Sequence, residues 1–208
     1  MKSITLFIII LGFMYPANLS AQTSITPRPE KWTTDNGKAV FDDTIIHLIN
    51  NQDKTALLWL KNRNFKNGTI ELDIKGQDLS GQSFVGLAFH GSDNEHYDAV
   101  YFRPFNFRVP EKKDRAVQYI DKPENDWAEL REKYPGKYEH AVNPVPDPND
   151  WFHVKIIINF PRIKLYVNGS KEPSLDVKQI SERQSGNLGL WVDGKDGWFK
   201  NVMITDSK

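Results

Sequence analysis

Two sets of residues in this 208-residue chain have the types that chemistry needs. The first is four groups able to move a proton: His90, Asp98, Asp193 and Glu71. Such a group works when burial or a neighbour brings its pKa toward the working pH. The second set mixes flat rings with directional polar groups. Tyr101, Phe105, Trp127 and Trp191 supply the rings, while Arg103, Asn106, Gln118 and Asn187 supply hydrogen bonds, as His90 also could. A sugar has an apolar C–H face and a rim of hydroxyls, so it asks for both kinds of group at once. Asp93, Asn94 and Glu95, bracketed by His90 and His96, carry oxygen atoms that could hold calcium, although their spacing is not that of an EF-hand.

Other chemistries lack their signatures. With no cysteine there is no disulfide framework, thiolate metal site or cysteine nucleophile. No Gly-x-Ser-x-Gly elbow, phosphate loop, dinucleotide fingerprint or His-Glu-x-x-His pair occurs, so no motif demands a cofactor. Lys plus Arg and Asp plus Glu both number 27, and this neutrality excludes the cationic footprint of a nucleic-acid binder. Residues 1–21 have a positive start, an apolar stretch and a small-residue end at Ala21, the layout of a secretory signal peptide too short to span a bilayer. The expectation is an exported protein, periplasmic or extracellular, with no membrane attachment after cleavage. The alternative is a retained N-terminal anchor helix.

Strands must position these residues. After a polar leader over residues 22–38, one domain is expected over residues 39–206. Thr69 to Lys75 alternates strictly, with Ile70, Leu72 and Ile74 on one face and Glu71 and Asp73 on the other. Ser83 to His90 sets Val85, Leu87 and Phe89 against Phe84, Gly86, Ala88 and His90; Tyr97 to Phe105 sets Val100 and Phe102 against Ala99, Tyr101, Arg103 and Phe105. About ten such runs, separated by Gly, Pro and Asn turns, describe an all-β antiparallel sandwich. One face then gathers His90, Tyr101, Arg103, Phe105, Asn187 and Trp191, joined by Gln118. The bland reading of Trp191 or Phe105 is packing beneath a loop. One short helix, Trp127 to Tyr134 behind an Asp126 cap, lies within a long excursion from Pro104 to Asp150 and could close over that face.

The blocks Phe65-Lys66-Asn67-Gly68-Thr69-Ile70-Glu71-Leu72-Asp73-Ile74, Ser83-Phe84-Val85-Gly86-Leu87-Ala88-Phe89 and Gly186-Asn187-Leu188-Gly189-Leu190-Trp191-Val192 resemble those of a concanavalin A-like, laminin-G-like jelly roll. Asp98 to Phe105, Asp150 to Lys155 and Lys164 to Asn168 extend the likeness. Within that group the chain is similar to the 3-keto-disaccharide hydrolase-like exported bacterial proteins. The resemblance implies two antiparallel sheets and a concave face that handles carbohydrate. Jelly-roll glucanases carry Glu-x-Asp-x-x-Glu, whereas Glu71-Leu72-Asp73-Ile74-Lys75-Gly76 has no second Glu, so a two-carboxylate glycosidase is not supported. Two readings stand: a carbohydrate-active hydrolase or lyase, and a non-catalytic carbohydrate-binding or protein-interaction module.

Overall fold

The structure, a computed structural model, describes residues 21–50 and 54–207. The expected signal peptide lies outside the described residues except for Ala21.

Among the described residues, fifteen strands build two antiparallel sheets. They are β1 (Gln22–Ser24), β2 (Trp32–Asp35), β3 (Lys38–Phe41), β4 (Ile45–Ile49), β5 (Ala56–Leu60), β6 (Gly68–Lys75), β7 (Ser83–Gly91), β8 (Tyr97–Phe102), β9 (Val117–Lys122), β10 (Glu139–His140), β11 (Phe152–Asn159), β12 (Arg162–Val167), β13 (Leu175–Lys178), β14 (Asn187–Gly194) and β15 (Asp196–Asp206). One sheet runs β13-β12-β11-β6-β15-β4-β3, with β1 also on β15; the other runs β10-β9-β8-β7-β14-β5-β2. This is the jelly-roll sandwich the sequence led us to expect. The leader departs from expectation: β1 pairs with β15 and β2 with β5, so residues 22–24 and 32–35 are parts of the two sheets. Trp32, only 5% exposed, explains the second of these additions.

Alternation makes the core. Ile70, Leu72 and Ile74 of β6 and Val154, Ile156 and Ile158 of β11 point inward from the eight-stranded sheet. They meet Val85, Leu87, Val100, Phe102, Leu190 and Val192 of the seven-stranded sheet. Phe102 and Phe152 lock the two layers edge to face, with ring centroids 4.9 Å apart. Each such side chain contributes roughly 1.5–3 kcal/mol by leaving water. The intervening residues must therefore face out of the sandwich. On β8 those are Tyr97, Ala99 and Tyr101; on β14, Gly189, Trp191 and Asp193.

Over this outer face of the seven-stranded sheet lies α1 (Trp127–Lys133), the only α-helix among the described residues. Asp126 caps it as expected, its carboxylate accepting from the Trp127 N–H.

Candidate functional site

The floor of the site depends on a missing side chain. Gly86 on β7 lies between Tyr101 on β8 and Trp191 on β14 in register. A Cβ there would lie 2.2 Å from the Val100 carbonyl oxygen and 2.7 Å from the Tyr101 Cβ. With glycine, the two rings meet across the strand, stacked at 4.7 Å with planes 27° apart. The Trp191 indole N–H also donates to the Tyr101 neighbour on the same face, the Tyr97 hydroxyl, at 3.3 Å.

Helix α1 is pinned above this floor at both ends. Lys122 Nζ binds Asp126 at 2.7 Å, tying the helix start to the end of β9. Arg131 grips Glu139 of β10 with a fork of two bonds, 2.9 and 2.6 Å, and Leu130 is buried beneath. Trp127 remains 46% exposed, and the Arg131 guanidinium sits 5.1 Å from its ring centroid. Tyr101 and Trp191 are accordingly only 2% and 3% exposed.

Helix and sheet leave a groove with two lobes. One lobe, of about 600 Å³, lies against Thr55, Tyr97, Lys122 and Asp193 and reaches Asp35 and Asn94. The other, of about 290 Å³, lies against Phe84, Arg103, Phe105, Asn106, Trp127 and Arg131. Between them, beneath Trp127, a throat of about 80 Å³ touches Tyr101, Trp191 and Asp193. Since a water occupies ~30 Å³, the throat has room for two or three waters, and the lobes are where a ring would fit.

Asp193 is the acid that the larger lobe and the throat share. It is half-buried, forms no ion pair among the described residues and accepts a 2.7 Å bond from the Gly194 N–H. Burial raises its pKa above the ordinary aspartate value, the Gly194 bond opposes this, Asp126 adds to it and Lys122 opposes it. At the other end Arg103 is 5% exposed and donates to the Arg115 carbonyl at 3.0 Å, and to the Tyr101 hydroxyl and Gln118 Oε1 at 2.6 Å each. Burial lowers its pKa.

Tyr101, Arg103, Phe105, Asn106, Trp127 and Trp191 thus gather around one groove with Asp193, and Gln118, buried behind its wall, binds Tyr101 and Arg103 without lining it. Three expected proton carriers do not gather there. His90 was expected on this face, but its backbone turns to a φ of 51°, which breaks the alternation. Its ring packs on Phe65 and Phe89, and Nε2 meets the Lys66 carbonyl at 2.7 Å. Burial pushes its pKa down. Asp98 shares the inward face of Val100 and Phe102, fully buried, where Tyr119 donates to it at 2.5 Å and Arg183 at 3.2 Å. Glu71 belongs to the other sheet, on its outer face beside His153 at 3.4 Å. Asn187 pairs with Gly91 across a register shift and lines none of the three spaces.

Calcium does not fit the Asp93–Glu95 loop. Asp93 is already taken by the N–H groups of Glu95 and His96 and by the His96 ring, all within 3.0 Å. Asn94 Oδ1 accepts from the Trp59 indole at 2.7 Å. Among the described residues, no three His, Cys, Asp or Glu side chains come together as metal ligands.

The groove also recruits residues outside the expected set: Phe84, Tyr97, Lys122 and Arg131. Tyr97 and Phe84 carried a signal, because they share the parity of Tyr101 and Gly86. Lys122 lies two positions beyond Ile120, where the apolar run of its strand ends.

Two stacked antiparallel sheets with a ring-lined groove on one outer face define a jelly-roll protein. The matched structures bear out the fold. A carbohydrate-binding module, CBM66 from Bacillus subtilis, aligns over 85% of this chain and 96% of its own at 20% identity and a TM-score of 0.61. A putative glycosyl hydrolase from Parabacteroides distasonis aligns over 90% and 100% at 14% identity and a TM-score of 0.61. The β-glucanase of Bacillus licheniformis does so over 89% and 98% at 12% identity and a TM-score of 0.58. No curated protein sequence matches. Residues 27–205 match the 3-keto-alpha-glucoside-1,2-lyase-like domain, and the chain belongs to that family.

Proposed function

We propose that this chain is an exported carbohydrate-active protein that binds a glycan in the two-lobed groove and that Asp193 moves a proton on the bound sugar. Binding is carried by one observation: Trp127 and Phe84 border both the throat, which holds Asp193 and Lys122, and the smaller lobe, which holds Phe105 and Arg103. Rings cover a sugar's apolar face while the charged and amide groups take its hydroxyls. The CBM66 module and the glycosyl hydrolases of the same fold support carbohydrate as the ligand class. Export rests on the layout of residues 1–21.

The chemistry follows from the place of Asp193, the acid shared by the larger lobe and the throat, whereas Asp35 and Glu95 line the larger lobe only. Two-carboxylate hydrolysis needs an acid and a base flanking one bond. The other acid at the throat, Asp126, is held by Lys122 and caps α1. A single carboxylate of raised pKa suits removal of a carbon-bound proton instead. In a 3-keto-α-glucoside, the compound class in the family's description, the ketone acidifies the C2 proton. Asp193 would take that proton, the electron pair would form the C1–C2 double bond, and the C1–O bond would break with its pair leaving on oxygen, which takes the proton from the Asp193 carboxyl and returns it to a carboxylate.

Tryptophan fluorescence during titration with a panel of α-glucosides and their 3-keto derivatives tests both parts. Quenching by a member of the panel is expected. Asp193→Asn should keep that quenching and lose turnover of the keto sugar by ~10²–10⁴-fold. No spectral response to any glycan overturns the binding reading; full turnover by Asp193→Asn overturns the chemistry alone.

A further inference from the structure

The two lobes of the groove differ in charge. Asp35, Glu95 and Asp193 line the larger one, against Lys54 and Lys122. Arg103, Lys112, Arg115 and Arg131 line the smaller one, and no carboxylate does. The adjoining acid, Glu139, is spent on Arg131 at 2.6 Å, with Arg115 more distant at 3.9 Å. With Glu139 set against Arg131, Arg103, Lys112 and Arg115 still face the space, while Glu111 and Asp114 line an adjoining cleft with Arg115 rather than the lobe itself.

Arg103 is the most telling of them. It is nearly buried, yet every hydrogen bond it donates goes to a neutral acceptor: a carbonyl, a phenol and an amide oxygen. A guanidinium withdrawn from water without a counter-charge is costly, and a neighbouring guanidinium makes it more so. Arg131 repels Arg103 in this way, and Glu139, which makes no hydrogen bond to Arg103, opposes that repulsion from a distance. Beside them Asn106, 4% exposed, donates its amide to the Arg115 carbonyl at 3.2 Å and leaves Oδ1 without a hydrogen-bond partner. A cation lacking its anion and an acceptor lacking its donor stand together at the wall of a ring-sized space. Phe84, Phe105 and Trp127 supply the apolar boundary of the same space.

Building on the reading of the groove as a glycan site, we propose that the smaller lobe is selective for an acidic sugar, a ring bearing a carboxylate or sulfate group. The anionic oxygens meet the guanidinium groups of Arg103 and Arg115, a hydroxyl donates to Asn106 Oδ1, and the ring packs on Phe105 and Trp127. The larger lobe, with its three carboxylates, would repel the same group. Charge therefore fixes which end of a glycan enters which lobe.

Calorimetric titration with three matched oligosaccharides tests this: a neutral one, its uronate counterpart and its 6-O-sulfate counterpart, each at low and at physiological salt. The uronate or the sulfate should bind about tenfold tighter than the neutral member, with the preference shrinking as salt rises. Whichever of the two is favoured identifies the anion. The double variant Lys112→Gln/Arg115→Gln should reduce the preference severalfold. Both side chains reach solvent, and the Arg115 carbonyl that holds Arg103 and Asn106 is main chain, so the variant keeps the fold. Equal affinity for neutral and anionic members overturns the acidic-sugar assignment and leaves the glycan site standing. A preference unmoved by the double variant also overturns the assignment. Failure of all three to bind overturns the glycan site itself, and the selectivity with it.

Discussion

Asp98 and Tyr101 stand three residues apart on β8 and face opposite ways. Below the sheet Asp98 collects bonds from Tyr119 at 2.5 Å, Ser181 at 2.7 Å and Arg183 at 3.2 Å, while Arg183 also grips Asp121. Above it Tyr101 joins Arg103 and Gln118 at 2.6 to 3.3 Å. Both clusters are buried and both are hydrogen-bonded. They differ in charge matching: each carboxylate below meets Arg183, whereas Arg103 above meets only neutral atoms. The lower cluster is closed by the segment from Gln179 to Arg183, and the upper one opens on the groove. Burial of a polar group thus says little about function, while an unmatched charge beside an open space says a good deal.

The comparison can be broken from either side. The largest effect should come from Asp98→Ala, which strips Tyr119, Ser181 and Arg183 of their acceptor; a loss of roughly 3–5 kcal/mol is expected in chemical denaturation at neutral pH. A ligand bound in the groove by the remaining folded protein should be unaffected, and reduced affinity would tie Asp98 to the site.

Next is a pH effect. Burial above all raises the pKa of Asp98 from 3.8 to about 6. Between those values the folded state binds a proton that the unfolded state releases. Stability supplied by Asp98 is therefore full below about pH 4 and is lost as pH rises through 6, by about 3 kcal/mol. Asp98→Asn, which keeps the shape of the protonated carboxyl, should lack this slope when unfolding is followed across pH 4 to 7.

Gly86→Ala comes third. The added methyl meets the Val100 carbonyl and the base of Tyr101, so about 1–3 kcal/mol of stability should be lost. Unlike Asp98→Ala, it should also weaken ligand binding, because it pries Tyr101 from Trp191. Thermal melting with and without ligand separates the two outcomes.

Much of the fold was legible in the sequence. Alternation located the long strands β6, β7 and β8, and the Asp126 cap located α1. The short polar strands β1, β2, β10 and β13 carry too few residues for a period to appear, and pairing partners create them. The site was legible where strands stay regular: Tyr101, Arg103 and Trp191 fall where parity puts them. It failed at His90 because alternation says nothing of a residue that adopts a left-handed backbone. Asp98 shares the parity of Val100 and Phe102, which already places it inward. For Glu71 the pattern marks a wet face but not which of two sheets owns it. Charge matching around Arg103 lay beyond the sequence, since Glu139 reaches Arg131 only through the β9–β10 pairing.

The proposed function requires a glycan in the groove beside Trp127. Calorimetry with the best-bound glycan, comparing the native chain with Trp127→Ala, addresses it with least ambiguity, because this half-exposed ring can be removed without opening the core. We expect affinity to fall about tenfold, ~1.4 kcal/mol, with the melting temperature unchanged. Undiminished affinity in Trp127→Ala, with binding lost instead in Tyr166→Ala on the outer face of the eight-stranded sheet, would contradict it.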